Sequence, residues 1–134
     1  IGQFAERLIN AFQIATPSAE RPVRLLSGGN LQKVILEREI TAGKGLLVAV
    51  NPTRGLDVGA TESVQRTLLE QRAQGAGVLL VSEDLDELLS ICDRIAVMYE
   101  GRVMGVLPAQ DANRDELGLM MAGEHSAVPS LGPV

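Results

Sequence analysis

The chain has 134 residues, enough for one hydrophobic core of ordinary domain size, so a single compact unit is expected rather than two independent domains. With 46% hydrophobic and 22% charged residues its composition is globular, away from the low-hydrophobicity, high-charge signature of disorder. A formal net charge of -5, with Phe4, Phe12 and Tyr99 as its aromatics, excludes a surface built to hold DNA or RNA.

Taken in chain order, Phe4, Leu8, Ile9 and Phe12 recur at helical spacing, which predicts a helix over 2–14 before Pro17 and Pro22 mark a loop. Ile1 to Ile14 is interrupted by charge, unlike a signal peptide, and no run approaches the ~20 apolar residues that a membrane helix needs. Any link to a membrane then goes through a partner. The chain opens at Ile1 in mid-pattern, which reads as a fragment. Ser27 is a good N-cap for a second helix carrying Leu31, Val34, Ile35, Leu36 and Ile40 up to about Ala42.

Gly45 to Val50 and Gly77 to Val81 are short apolar runs between turn signals, as expected of parallel strands covered on both faces. Between them Asp57 caps a helix with Ala60, Val64 and Leu68 on one side, giving a strand, helix, strand unit and a right-handed crossover. Asp84 and Glu87 make a capping-box-like start for a short helix over Leu85, Leu88 and Leu89. Ile95 to Tyr99, the Glu100-Gly101 turn and Arg102 to Leu107 read as a hairpin, followed by a helix near Asp115 to Met121. The last residues, 125–134, carry two prolines and a glycine near the end and read as a frayed tail.

Two of these junctions hold chemistry. Ser27-Gly28-Gly29-Asn30 opens a helix, where unpaired N-H groups and partial positive charge meet a hydroxyl donor and two glycines that let an anion approach. On those grounds it is a candidate phosphate cradle, with an ordinary Ser N-cap after a loop as the other reading. Asn51-Pro52-Thr53-Arg54-Gly55-Leu56-Asp57 follows the first apolar run. The two blocks together, in this order and spacing, resemble the signature loop and the Walker B to D-loop stretch of an ATP-binding-cassette (ABC) ATPase.

The resemblance covers most of residues 4–123 and implies an α/β fold. That fold is a partial P-loop NTPase of ABC type, with parallel core strands, flanking helices and a C-terminal β-hairpin. Residues 1–26 would end the helical subdomain, and 27–124 would carry the signature helix, Walker B-like strand, D-loop, switch region and hairpin. In the family Ser27, Gly28, Gly29 and Asn30 correspond to residues that serve ATP held by the opposite ATPase half, and Gly55, Leu56 and Asp57 to the dimer seam. A bland role for Asp57, N-cap of the next helix, is compatible with this. Gly43-Lys44-Gly45 is not a Walker A, because Arg38 and Gly45 stand where a glycine and a Ser or Thr are needed.

The family's catalytic positions are replaced. Its Mg²⁺-holding Asp corresponds to Val50, which has no oxygen for a hard cation, and its general base to Asn51, which cannot accept a proton from water. Its switch histidine corresponds to Glu83, an anion where a phosphate is expected. Val50 also reads as a plain core residue, and Glu83 as a first-turn acid favoured by the helix dipole. Catalytic positions are thus degenerate, and no metal site is expected on this chain. His125, Cys92 and the four methionines suit tail, structural-thiol and core roles, and a lone cysteine rules out an internal disulfide.

The resemblance therefore implies the C-terminal part of the second ATPase half of a tandem import ATPase for simple sugars or nucleosides. Pro52 to Ala60, Val81 to Leu88 and Gly118 to Gly123 look closest to the nucleoside branch. It implies ATP and Mg²⁺ in the assembled transporter, with the N-terminal ATPase half of the same protein and membrane permease subunits as partners. A solute-binding protein would act indirectly, and the place would be the cytoplasmic face of the membrane. The other reading is a stand-alone, non-catalytic α/β interaction module derived from such an ATPase. A receiver-like domain fits poorly, because no acidic cluster follows an N-terminal strand. In the family a further strand lies between those matching Val78 to Val81 and Ile95 to Met98. Its absence implies an open gap, filled by closure within the chain or by an artificial homodimer, with Ile95 to Met98 displaced.

Overall fold

The computed structural model describes residues 2–11, 14–42 and 45–124. The chain divides into two compact units, residues 1–81 and 82–134. Both are built from short-range pieces that the sequence marks by caps and turns.

In the first unit α1 spans Gly2–Ala11; of the helix expected over 2–14, residues 12 and 13 lie outside the described residues and Ile14 is not helical. The Ile14 N-H donates to the Ile9 carbonyl at 3.0 Å, and the Ile14 side chain is buried. A single 3-10 turn at Val23–Leu25 leads to α2, Gly28–Ala42. Then β1 (Leu46–Val50), α3 (Val58–Ala73) and β2 (Gly77–Val81) form the expected crossover, with β1 and β2 parallel and Val50 opposite Val81. Asp57 caps α3 by accepting from the Ala60 N-H at 2.9 Å. Leu36, Ala49, Val64 and Leu68 are buried in this unit.

The expectation that both strands are covered on both faces is corrected. Side chains alternate along a strand, and one set, Leu46, Val48 and Val50 of β1 with Leu79 and Val81 of β2, is exposed. Among the described residues no further strand adds to β1 or β2.

The second unit has the better-filled core. Asp84 caps α4 (Leu85–Ile91) by accepting from the Asp86 and Glu87 N-H groups. The Asp84 N-H itself donates to the Ser82 hydroxyl at 3.1 Å. β3 (Arg94–Tyr99) and β4 (Arg102–Pro108) pair antiparallel, with a register shift between Val97 and Met98 that leaves Met104 as the extra residue of a bulge. Glu100 and Gly101 have φ of 44° and 76°, the two left-handed positions of a type I′ hairpin turn. A 3-10 turn at Ala109–Asp111 leads to α5, Arg114–Met121, capped by Asn113. Ile95, Val97, Leu107, Ala109, Leu117 and Met120 form the core, with Leu85, Leu88, Leu89 and Cys92 packed against it. The expected tail, 125–134, lies outside the described residues, as does His125. No described helix is long and apolar enough to cross a membrane.

Candidate functional site

The first unit brings the signature-like and D-loop-like blocks together. Ser27 and Gly28 are exposed at the start of α2. The first turn of a helix offers N-H groups without intrahelical partners and the positive end of the dipole, so this end attracts anions. A Cβ placed on Gly28 would meet only Leu56 Cδ2, at 3.7 Å, so the approach to its backbone is open.

Gly29 differs from the expectation. A Cβ there would stand 2.7 Å from the Ala60 Cβ, so its missing side chain is required by the contact between α2 and α3 rather than by anion access. Asn30 turns inward: its Oδ1 accepts from the Ala15 N-H at 2.9 Å and its Nδ2 donates to Ser27 Oγ at 2.8 Å. The capping bond from the Asn30 N-H to Ser27 Oγ is longer, 3.4 Å. Asn30 therefore joins the loop before α2 to the serine. Sequence reading missed Ala15, since a main-chain N-H carries no pattern of its own, and it set Ala60 on a helix stripe without its contact to Gly29.

The run 51–57 is a pair of turns. The Asn51 N-H donates to the Val81 carbonyl at 2.7 Å, the Arg54 N-H to Asn51 at 3.2 Å and the Leu56 N-H to Thr53 at 3.1 Å. Gly55, with φ of 74°, makes the reversal that sends the chain into the Asp57 cap. Asn51 itself has φ of 45°, a left-handed conformation that Asn tolerates better than most side chains. This gives Asn51 a local reason to be Asn, independent of chemistry.

Val50 points its hydrocarbon side chain outward from the exposed face, 63% accessible. With no side-chain oxygen there, Val50 cannot give Mg²⁺ the carboxylate that it would need at this position. Glu83 is exposed between β2 and α4, in the second unit, whereas Val50 and Asn51 belong to the first. A phosphate, by contrast, fits the open N-terminus of α2 with its hydroxyl and N-H donors.

No protein-family model matches the chain. It is 48% identical over 130 residues to the glucose import ATP-binding protein TsgD13 of Haloferax volcanii, covering 96% of this chain and 24% of that protein. It is 49% identical over 119 residues to the guanosine import ATP-binding protein NupO of Bacillus subtilis, covering 89% and 23%. The ribose import ATP-binding protein RbsA 1 of Rubrobacter xylanophilus is 40% identical over 125 residues, covering 92% and 25%. The chain thus spans about a quarter of the length of the curated relatives it matches.

Among solved structures, the ATP-binding subunit of an ABC transporter aligns with a TM-score of 0.72 at 24% identity, over 91% of this chain and 56% of that one. MJ1267, an ATP-binding cassette of an ABC transporter, aligns with a TM-score of 0.68 at 21% identity, over 90% and 46%. These two establish the fold.

Proposed function

Because the chain belongs to the ATP-binding-cassette family of transport ATPases, we propose that it is part of the ATP-binding subunit of an importer for a simple sugar or nucleoside. Ser27, Gly28, Gly29 and Asn30 are its signature loop and serve ATP held by the opposite ATPase half. Gly55, Leu56 and Asp57 lie at the seam between the halves. The partners are that N-terminal half, the membrane permease and, indirectly, a solute-binding protein, on the cytoplasmic face of the membrane.

The observation that carries this reading is the open N-terminus of α2. An exposed hydroxyl and an unobstructed Gly28 backbone stand there beside Leu56 of the D-loop. Donors fixed in place before an anion arrives stabilise charge without reorganisation. The chain's own site lacks a base at Asn51 and an oxygen at Val50, so hydrolysis belongs to the site that the signature loop completes. Bound nucleotide at the degenerate site contributes to the timing of closure.

Gly28→Asp in the full-length protein, assembled with its permease in vesicles, tests the reading. A carboxylate would then occupy the space an incoming phosphate must use, and ATPase activity and uptake are expected to fall together to near background. Normal uptake by that variant would overturn the assignment of the loop.

A further inference from the structure

The Ala15 N-H can only donate, and it donates to Asn30 Oδ1 at 2.9 Å. That fixes which end of the Asn30 amide faces which neighbour. The other end, Nδ2, also can only donate, and it lies 2.8 Å from Ser27 Oγ. Ser27 Oγ therefore accepts. The Asn30 main-chain N-H approaches the same oxygen at 3.4 Å. A hydroxyl has two lone pairs and one proton, and here both lone pairs are turned toward Asn30. The proton is left to point away from the helix, on an exposed residue, where a phosphoryl oxygen would arrive.

We propose that Asn30 is a positioning residue that makes Ser27 a hydrogen-bond donor only, with the main chain at Ala15 setting the direction. This deepens the signature-loop reading and rests on it. Without the Ala15 bond the amide is free to turn over, and Oδ1 would then capture the Ser27 proton. The loop before α2 thus gates the donor that the phosphate needs. A segment shift that breaks one 2.9 Å bond would switch it off without moving Ser27.

Asn30→Asp separates this from a role in merely holding the loop. The carboxylate is nearly isosteric and still accepts from Ala15, and its second oxygen still bonds Ser27, so the loop stays tied. It can only accept, however, so the Ser27 proton turns inward. In the assembled transporter Ser27→Ala is expected to lower kcat by about tenfold to a hundredfold. Asn30→Asp is expected to lower it by about a hundredfold when Ser27 is present and by less than about tenfold in the Ser27→Ala background, where only the added charge acts.

Equal losses from Asn30→Asp in both backgrounds would overturn the clamp while leaving the signature-loop reading intact. Full activity in Ser27→Ala would overturn both. A measurement on the 134-residue chain is independent of transport. Hydrogen exchange at the Ala15 amide is expected to be slow in the parent and in Asn30→Asp, and at least about tenfold faster in Asn30→Leu. Unchanged exchange in Asn30→Leu would overturn the clamp.

Discussion

Gly29 and Ala60 meet so closely that a Cβ on the glycine would stand 2.7 Å from the Cβ of the alanine. The α2 and α3 helices touch through a missing side chain, and that contact sets the start of α2 beside the turns of residues 51–57. Gly29→Ala is expected to destabilise the chain by about 1–3 kcal/mol, the range for overpacking a fitted contact. Adding Ala60→Gly removes the opposing methyl and should recover most of that loss. Urea unfolding of the single and double variants measures it; strictly additive losses would show that the two residues do not oppose each other.

Gly28→Ala should behave differently, although it is the neighbouring position. Its Cβ would make an ordinary contact with Leu56 Cδ2 at 3.7 Å, so stability should stay within about 0.5 kcal/mol of the parent. A loss as large as that of Gly29→Ala in the same unfolding series would contradict the open approach assigned to Gly28.

The contrast between these glycines shows what the sequence can and cannot reveal. Asp57 and Asp84 are readable because a cap is a local event, decided by a side chain and an N-H two or three residues on. The Glu100-Gly101 hairpin was readable for the same reason. Two glycines in a row look alike, and only the three-dimensional approach of Ala60 separates them. The Ala15 to Asn30 bond joins a featureless main-chain donor to a residue fifteen positions away, so no periodicity announces it. Strand coverage was misread because an apolar run records what a strand prefers to touch, not whether a neighbour touches it.

Glu100 occupies the first left-handed position of the hairpin turn, φ of 44°, where an L-residue other than Asn, Asp or Gly is strained. Glu100→Asn gives the Asn-Gly pair that such turns favour and should stabilise the chain by about 0.5–1 kcal/mol. Thermal melting tests it, and a lower midpoint would count against the assigned turn.

Asn51→Glu supplies the base that the family position calls for, yet little activity should return in the assembled transporter. The neighbouring Val50 still offers no oxygen, and Glu at φ of 45° costs about 1 kcal/mol that Asn avoids. Recovery of turnover at the site proposed to be degenerate, measured with the one proposed to be competent disabled, would show that the base alone was missing.

The chain by itself should hydrolyse no ATP and bind it weakly, since the open N-terminus of α2 would contact only one side of a triphosphate. Phosphate release and fluorescent-nucleotide titration measure both. Turnover above a buffer blank, or tight Mg²⁺-dependent binding, would contradict the degenerate reading of Val50, Asn51 and Glu83.

The isolated chain should also self-associate. Leu46, Val48 and Val50 lie beside Leu79 and Val81 on one exposed sheet face, from 48% to 66% accessible, and no other strand among the described residues pairs with either outer edge of the two-stranded sheet. An apolar strand edge of this kind pairs with another copy unless charge blocks it. Light scattering should therefore give more than the monomer mass, rising with concentration. Val48→Lys places a charge in the middle of the exposed stripe without disturbing a buried contact, since 55% of that side chain's residue surface is already open. That variant should move the mass toward the monomer while the melting midpoint holds. A parent chain that stays monomeric throughout would show that water alone suffices to cover this face.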